Sequence, residues 1–115
     1  MHIELTLDCR DPGRLAVFWS AAAGFTVGES LGDRYLTLSR PGLDLTLQRV
    51  GEPKTVKNRM HLDLLVADVD AEVARLLALG AARLAGPRHE LGQTWFVLAD
   101  PEGNEFCVAR DPSGR

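Results

Sequence analysis

Cysteine is scarce in this chain: 2 in 115 residues, Cys9 and Cys107, set in separate apolar contexts with no CxxC spacing. That argues against a disulfide framework and fits reduced thiols, both read first as small core residues. Long apolar runs are missing altogether, none approaching the roughly 20 residues a membrane span requires. The opening MHIELTLDCRD alternates apolar and polar residues, unlike the charged-then-apolar layout of a signal peptide, so a cytoplasmic protein is expected. An excess of one charge is also absent. Thirteen basic residues against 16 acidic ones give a net charge of −3, which predicts no nucleic-acid partner and no attraction to an anionic membrane. The expected partner is a small molecule or a second copy of the chain.

What is present is an ordinary globular composition, 45% hydrophobic and 25% charged, enough for one domain with a real core. Within it lies a repeat. ELTLDCRDPGRLAVFWSAAAGF (Glu4 to Phe25) and HLDLLVADVDAEVARLLALGA (His61 to Ala81) share a plan of strand, Asp, apolar-periodic helix and Gly. Glu4 to His61 and Asp11 to Asp68 are each 57 positions apart, and Gly24 to Gly80 56. Asp11 and Asp68 are expected to cap the helices, Pro12 sits where its missing N–H costs nothing, and Gly80 supplies a left-handed stop. Leu15, Phe18, Trp19 and Ala22 form one helical face, and Val69, Val73, Leu76 and Leu77 another. Three short strand-like runs follow each helix: FTVG, RYLTLS and LDLTLQRV, then ARLA, TWFVLA and NEFCVA. The chain therefore reads as βαβββ twice, with module one at 2–50, a polar connector at 51–59 and module two at 60–111. Lys54, Lys57 and Arg59 of the connector are either solvated or turned toward an anionic ligand.

Alternate strand residues point to opposite faces, so each strand divides into two sets. Ile3, Leu5, Leu7 and Cys9 oppose Glu4, Thr6 and Asp8; Leu43, Leu45 and Leu47 oppose Asp44, Thr46 and Gln48. Leu62, Leu64 and Val66 oppose His61, Asp63 and Leu65, while Phe106 and Val108 oppose Glu105 and Cys107. The apolar sets belong under the helices. The polar sets face solvent if the sheets are flat, or a ligand cavity if two sheets related by a pseudo-twofold curl together, with Tyr35 and Trp95 or Phe96 as walls.

The paired βαβββ plan, together with DPGRLAVFW, KNRMHLDL and DPEGNEFCV, resembles the glyoxalase, bleomycin-resistance and extradiol-dioxygenase superfamily of vicinal oxygen chelate proteins, and within it the glyoxalase-like domains. The resemblance runs from Ile3 to Asp111. It implies one α+β domain over 1–115, two βαβββ modules in a curved, barrel-like mixed sheet with helices outside. In members that use a metal, one side chain from each of four strands holds it. Carried over by position, that set is Glu4, Gln48, His61 and Cys107, with Cys107 standing where a typical member has a carboxylate. Sulfur there suits zinc better than magnesium or manganese.

Two functional readings follow from the resemblance. In the first, the cavity holds a small oxygen-bearing substrate and the protein is a lyase, isomerase or dioxygenase, metal-assisted with Glu4 moving a proton, or reliant on His61, Asp8 and Asp63 alone. In the second, the protein binds or sequesters a small molecule without metal, and Tyr35, Trp95 and, less readily, Trp19 offer flat apolar surface. A purely structural module is the third alternative. His61 is either a general base tuned by nearby carboxylates or simply hydrogen-bonded to Asp63 or Asp8. Glu4 and His61 are thus the catalytic candidates, and Asp8, Tyr35, Asp63 and Trp95 the ligand-binding ones. His2 and His89 read as solvated. The resemblance also implies a homodimer.

Overall fold

The computed structural model describes residues 4–58, 60–90 and 92–111, so His2, Ile3 and Arg59 lie outside the described residues. The first half contains β1 (Glu4–Cys9), α1 (Pro12–Ala23), β2 (Thr26–Leu31), β3 (Tyr35–Arg40) and β4 (Leu43–Arg49). The second contains β5 (Leu62–Val66), α2 (Val69–Ala78), β6 (Ala82–Glu90), β7 (Gln93–Ala99) and β8 (Glu105–Arg110). The fold is α+β, a βαβββ module made twice, and the chain divides into two compact units, Met1–Thr55 and Val56–Arg115.

Each unit has its own mixed four-stranded sheet, ordered β1-β4-β3-β2 in the first and β5-β8-β7-β6 in the second. The first and last strands of each module pair in parallel, and the remaining pairs are antiparallel. The helices form where the repeat places them. Asp11 accepts a hydrogen bond from the Arg14 backbone N–H at 3.1 Å, and Asp68 one from that of Ala71 at 3.0 Å. Gly24, at φ 71°, ends α1, and the Arg40 guanidinium donates to the Ala23 carbonyl that the helix leaves free. Leu15, Phe18, Trp19 and Ala22 are all buried, and α1 lies across β3 and β4. In α2, Val73 and Leu76 are buried, Val69 and Leu77 half-buried, and the helix packs on β8 over Phe106 and Val108.

β6 is longer than the run ARLA anticipates, and it carries His89 on a strand rather than in a loop. Pro87 lacks an N–H and so argues against a strand, but an edge strand tolerates it. The register with β7 shifts on both sides of Ala85. There Gly86 adopts φ 115°, where an added Cβ would stand 2.9 Å from the Phe96 Cα.

The DPEGN segment is a turn locked by one carboxylate. Asp100, 3% exposed, accepts from the backbone N–H groups of Glu102 and Asn104 at 2.9 and 3.0 Å, and from the Asn104 amide through both oxygens. The turn launches β8 at the register that sets the face of Cys107. Asp100→Ala is expected to lower unfolding free energy by about 3 kcal/mol in urea titration, because buried donors lose their acceptor. A loss below about 1 kcal/mol would show that Pro101 and Gly103 hold the turn without it.

Candidate functional site

Opposite α1, the first sheet presents a polar face. Asp8, Gln48 and Tyr35 share one rung across β1, β4 and β3. Glu4 pairs with Asp44 two rungs from Asp8 along the same face, and its carboxylate accepts a hydrogen bond from the Thr46 hydroxyl, which in turn lies 3.2 Å from that of Thr37. Glu4 and Gln48 are therefore four positions out of register, about 13 Å along the strands. The structure does not bring these two together. Asp8 and Tyr35 do meet Gln48, and the Arg34 guanidinium stacks over the Tyr35 ring at 5.5 Å.

The second sheet gathers its polar residues more tightly. His61 immediately precedes β5, and Asp63 two residues later points to the same face. Asp63 pairs with Cys107 on β8, while one rung on Leu65, Ala109, Trp95 and Arg88 line up across all four strands. His61 Nε2 lies 3.1 Å from Asp63 Oδ1. A nitrogen of His61, a carboxylate oxygen of Asp63 and the Cys107 sulfur all lie within 4.8 Å of one another. These side chains border a recess of about 500 Å³. Leu65, Trp95 and Ala109 give it an apolar wall, and Glu90, Gln93 and Arg110 bring polar groups to it. Glu105, on the rung of His61, is engaged differently: its carboxylate accepts from the Asn58 backbone N–H at 3.0 Å and tethers the incoming connector.

Strand alternation put His61, Asp63 and Leu65 on one face and Cys107 on the same side of β8, as found, and of the two wall candidates Trp95 and Phe96 it is Trp95 that borders the recess while Phe96 is buried. Ala109 and Gln93 were passed over as recess residues, although alternation carried the signal for both. Glu90 and Arg110 carried none, since their positions depend on how the edge strand and the strand end close the rim. A second recess of about 480 Å³ lies at the start of α2, where Thr94 and His89 Nδ1 are hydrogen-bonded at 2.9 Å.

With this geometry in view, comparison with known proteins is decisive at the level of family. The model of the glyoxalase-like domain family matches residues 4–109. The chain belongs to that family. No curated protein gives a significant match. Among solved structures, a glyoxalase/bleomycin resistance protein/dioxygenase family enzyme from Burkholderia phytofirmans PsJN superposes with a TM-score of 0.77 at 21% identity, over 93% of this chain and 95% of its own. A variant of the fosfomycin resistance protein FosX from Listeria monocytogenes, complexed with Mn(II) and a dihydroxypropylphosphonic acid, gives 0.79 at 17% identity over 97% and 91%. Lactoylglutathione lyase from Agrobacterium tumefaciens gives 0.71 at 18% identity over 96% and 92%. At these identities the likeness is one of fold.

The donors that the family resemblance implies for a hard divalent ion do not fit one in this glyoxalase-like chain. Glu4 and Gln48 stand on different rungs, and Thr46, not Gln48, has the relation to Glu4 that Cys107 has to His61. Cys107 itself supplies sulfur where magnesium or manganese takes oxygen. Burial pushes the Cys107 thiol pKa up, and Asp63 adds to this by repelling a thiolate and accepting the thiol's hydrogen bond, against smaller opposing effects of Lys57 and Arg88. The resting group is the thiol.

The sign of the pH effect follows. Above about 8.5 the unfolded thiol ionises while the native one keeps its proton, so stability falls as pH rises toward the folded-state pKa. Alkylation of Cys107 by iodoacetamide is therefore expected to have a midpoint above that of free cysteine, and Asp63→Asn to move it down. An unchanged midpoint in Asp63→Asn would contradict the contact.

Proposed function

We propose that this glyoxalase-like protein binds a small oxygen-bearing molecule in the second-unit recess, without a hard divalent ion. The observation that carries the reading is the recess itself: about 500 Å³, inside the range of roughly 300–1,000 Å³ that small-molecule sites occupy. Its two sides differ chemically. The Trp95 ring supplies a flat apolar wall for a planar group, and the His61–Asp63 pair supplies hydrogen-bonding groups for an oxygen at the other end. At 42% and 57% side-chain exposure, that pair adds at most about 1 kcal/mol to stability. Its value is positional: Asp63 fixes the orientation of the imidazole. A homodimer belongs to the same reading, on the strength of the family resemblance.

One observation favours a second reading, acid–base catalysis of the lyase or isomerase type. A carboxylate 3.1 Å from an imidazole nitrogen is the arrangement that orients a general base, and it faces open recess. The lyase name of the Agrobacterium relative points the same way.

A panel of hydroxylated and carbonyl-bearing aromatic compounds, screened by thermal shift and tryptophan fluorescence, tests the first reading. For any compound that binds, Trp95→Ala is expected to weaken affinity at least about tenfold, equivalent to about 1.4 kcal/mol, and His61→Ala to weaken it comparably. Undiminished binding in both variants would place the site elsewhere. Turnover of a bound compound that His61→Ala lowers by about 10²-fold or more would establish the catalytic reading.

A further inference from the structure

We infer that His61, Asp63 and Cys107 form a site for zinc or a similarly soft divalent ion, held by the second unit alone. The site goes beyond the small-molecule reading and differs from the four-position set of the family resemblance. It uses Asp63, which that set lacks, and neither Glu4 nor Gln48.

Backbone register creates the cluster. His61 and Asp63 are two residues apart and share a face, and the parallel pairing of β5 with β8 sets Cys107 opposite Asp63. One nitrogen, one carboxylate oxygen and one sulfur consequently lie within 4.8 Å of one another. In a tetrahedral zinc site, with Zn–N and Zn–O near 2.1 Å and Zn–S near 2.3 Å, donor atoms stand about 3.5 Å apart. His61 Nε2 and Asp63 Oδ1 are already at 3.1 Å. Closing the remaining separations takes movements of about an ångström, within the reach of small rotamer changes. Exposure of 42% for His61 and 57% for Asp63 leaves those side chains room to make them.

The donor types select the ion. A thiolate, an imidazole and a carboxylate together match zinc, whereas magnesium and manganese favour oxygen ligands. Three protein donors leave a fourth position, and these three border the recess of about 500 Å³, the layout of an open zinc site rather than a closed structural one.

The test uses the full chain, reduced and stripped of metal, titrated with Co²⁺ while thiolate-to-cobalt charge-transfer absorption is recorded. The band is expected to saturate near one equivalent, to be abolished by Zn²⁺, and to resist about a tenfold excess of Mg²⁺ or Mn²⁺. It should vanish in Cys107→Ser with circular dichroism unchanged, and persist in Cys9→Ala. Asp63→Asn should weaken Co²⁺ binding by about tenfold or more. No band in the wild type, a band surviving in Cys107→Ser, or Mn²⁺ displacing Co²⁺ as well as Zn²⁺ does would overturn the inference. Unchanged affinity in Asp63→Asn would overturn the assignment of the third donor.

Discussion

The parallel pairing of β5 with β8 is the constraint on which the site depends. A parallel pair needs a crossover between its strands, and α2 begins that crossover by covering one face with Val73 and Leu76. The opposite face is left to His61, Asp63 and Leu65 on one strand and Cys107 and Ala109 on the other. Were β8 to slip by one residue, Phe106 and Val108 would exchange faces with Cys107 and Ala109. Both are essentially buried, at 1% and 0% exposure, so the hydrophobic term holds the register and the chemistry inherits it. The Asp100 turn protects the same register from the other side, because it fixes where β8 begins.

Asp63 is the centre of the resulting cluster. It sits beside an imidazole and opposite a thiol: its carboxylate lies 3.1 Å from His61 Nε2, and it adds to burial in pushing the Cys107 pKa up. In the first unit the corresponding position, Thr6 opposite Thr46, carries hydroxyls, and Glu4 is tied into a file with Thr46 and Thr37. Two copies of one module have thus diverged on their polar faces while keeping helix caps, strand order and apolar faces alike. Packing constrains the apolar faces of both modules, whereas different side chains on the open faces leave both cores intact.

The duplicated architecture was legible because it is written in local signals. Asp caps, apolar helical stripes, glycine stops and strand alternation act over a few residues, and helix and sheet faces followed from them. Register between strands distant in sequence was not legible. The face of Cys107 was legible because it follows from alternation along β8 and from the adjacent Asp100 turn that launches the strand. Carry-over by position put Gln48 with Glu4, whereas the parallel register of β1 and β4 gives Thr46 the relation to Glu4 that Cys107 has to His61. β6 was underestimated for a different reason: Gly86 and Pro87 are strand-breaking residues by type, and only the bulged edge of a sheet accommodates them. Glu90 and Arg110 reached the recess through tertiary placement, for which no spacing rule exists.

If the proposed recess is the binding site, the open face of the second sheet, and not the helix-bearing face, responds when ligand binds. Amide and indole chemical-shift mapping by NMR, with a compound from the hydroxylated aromatic panel, measures this directly. Shifts are expected to concentrate at Asp63, Leu65, Trp95, Cys107 and Ala109. Shifts centred on the second recess, at Asp70, His89 and Thr94, with the open face unmoved, would contradict it.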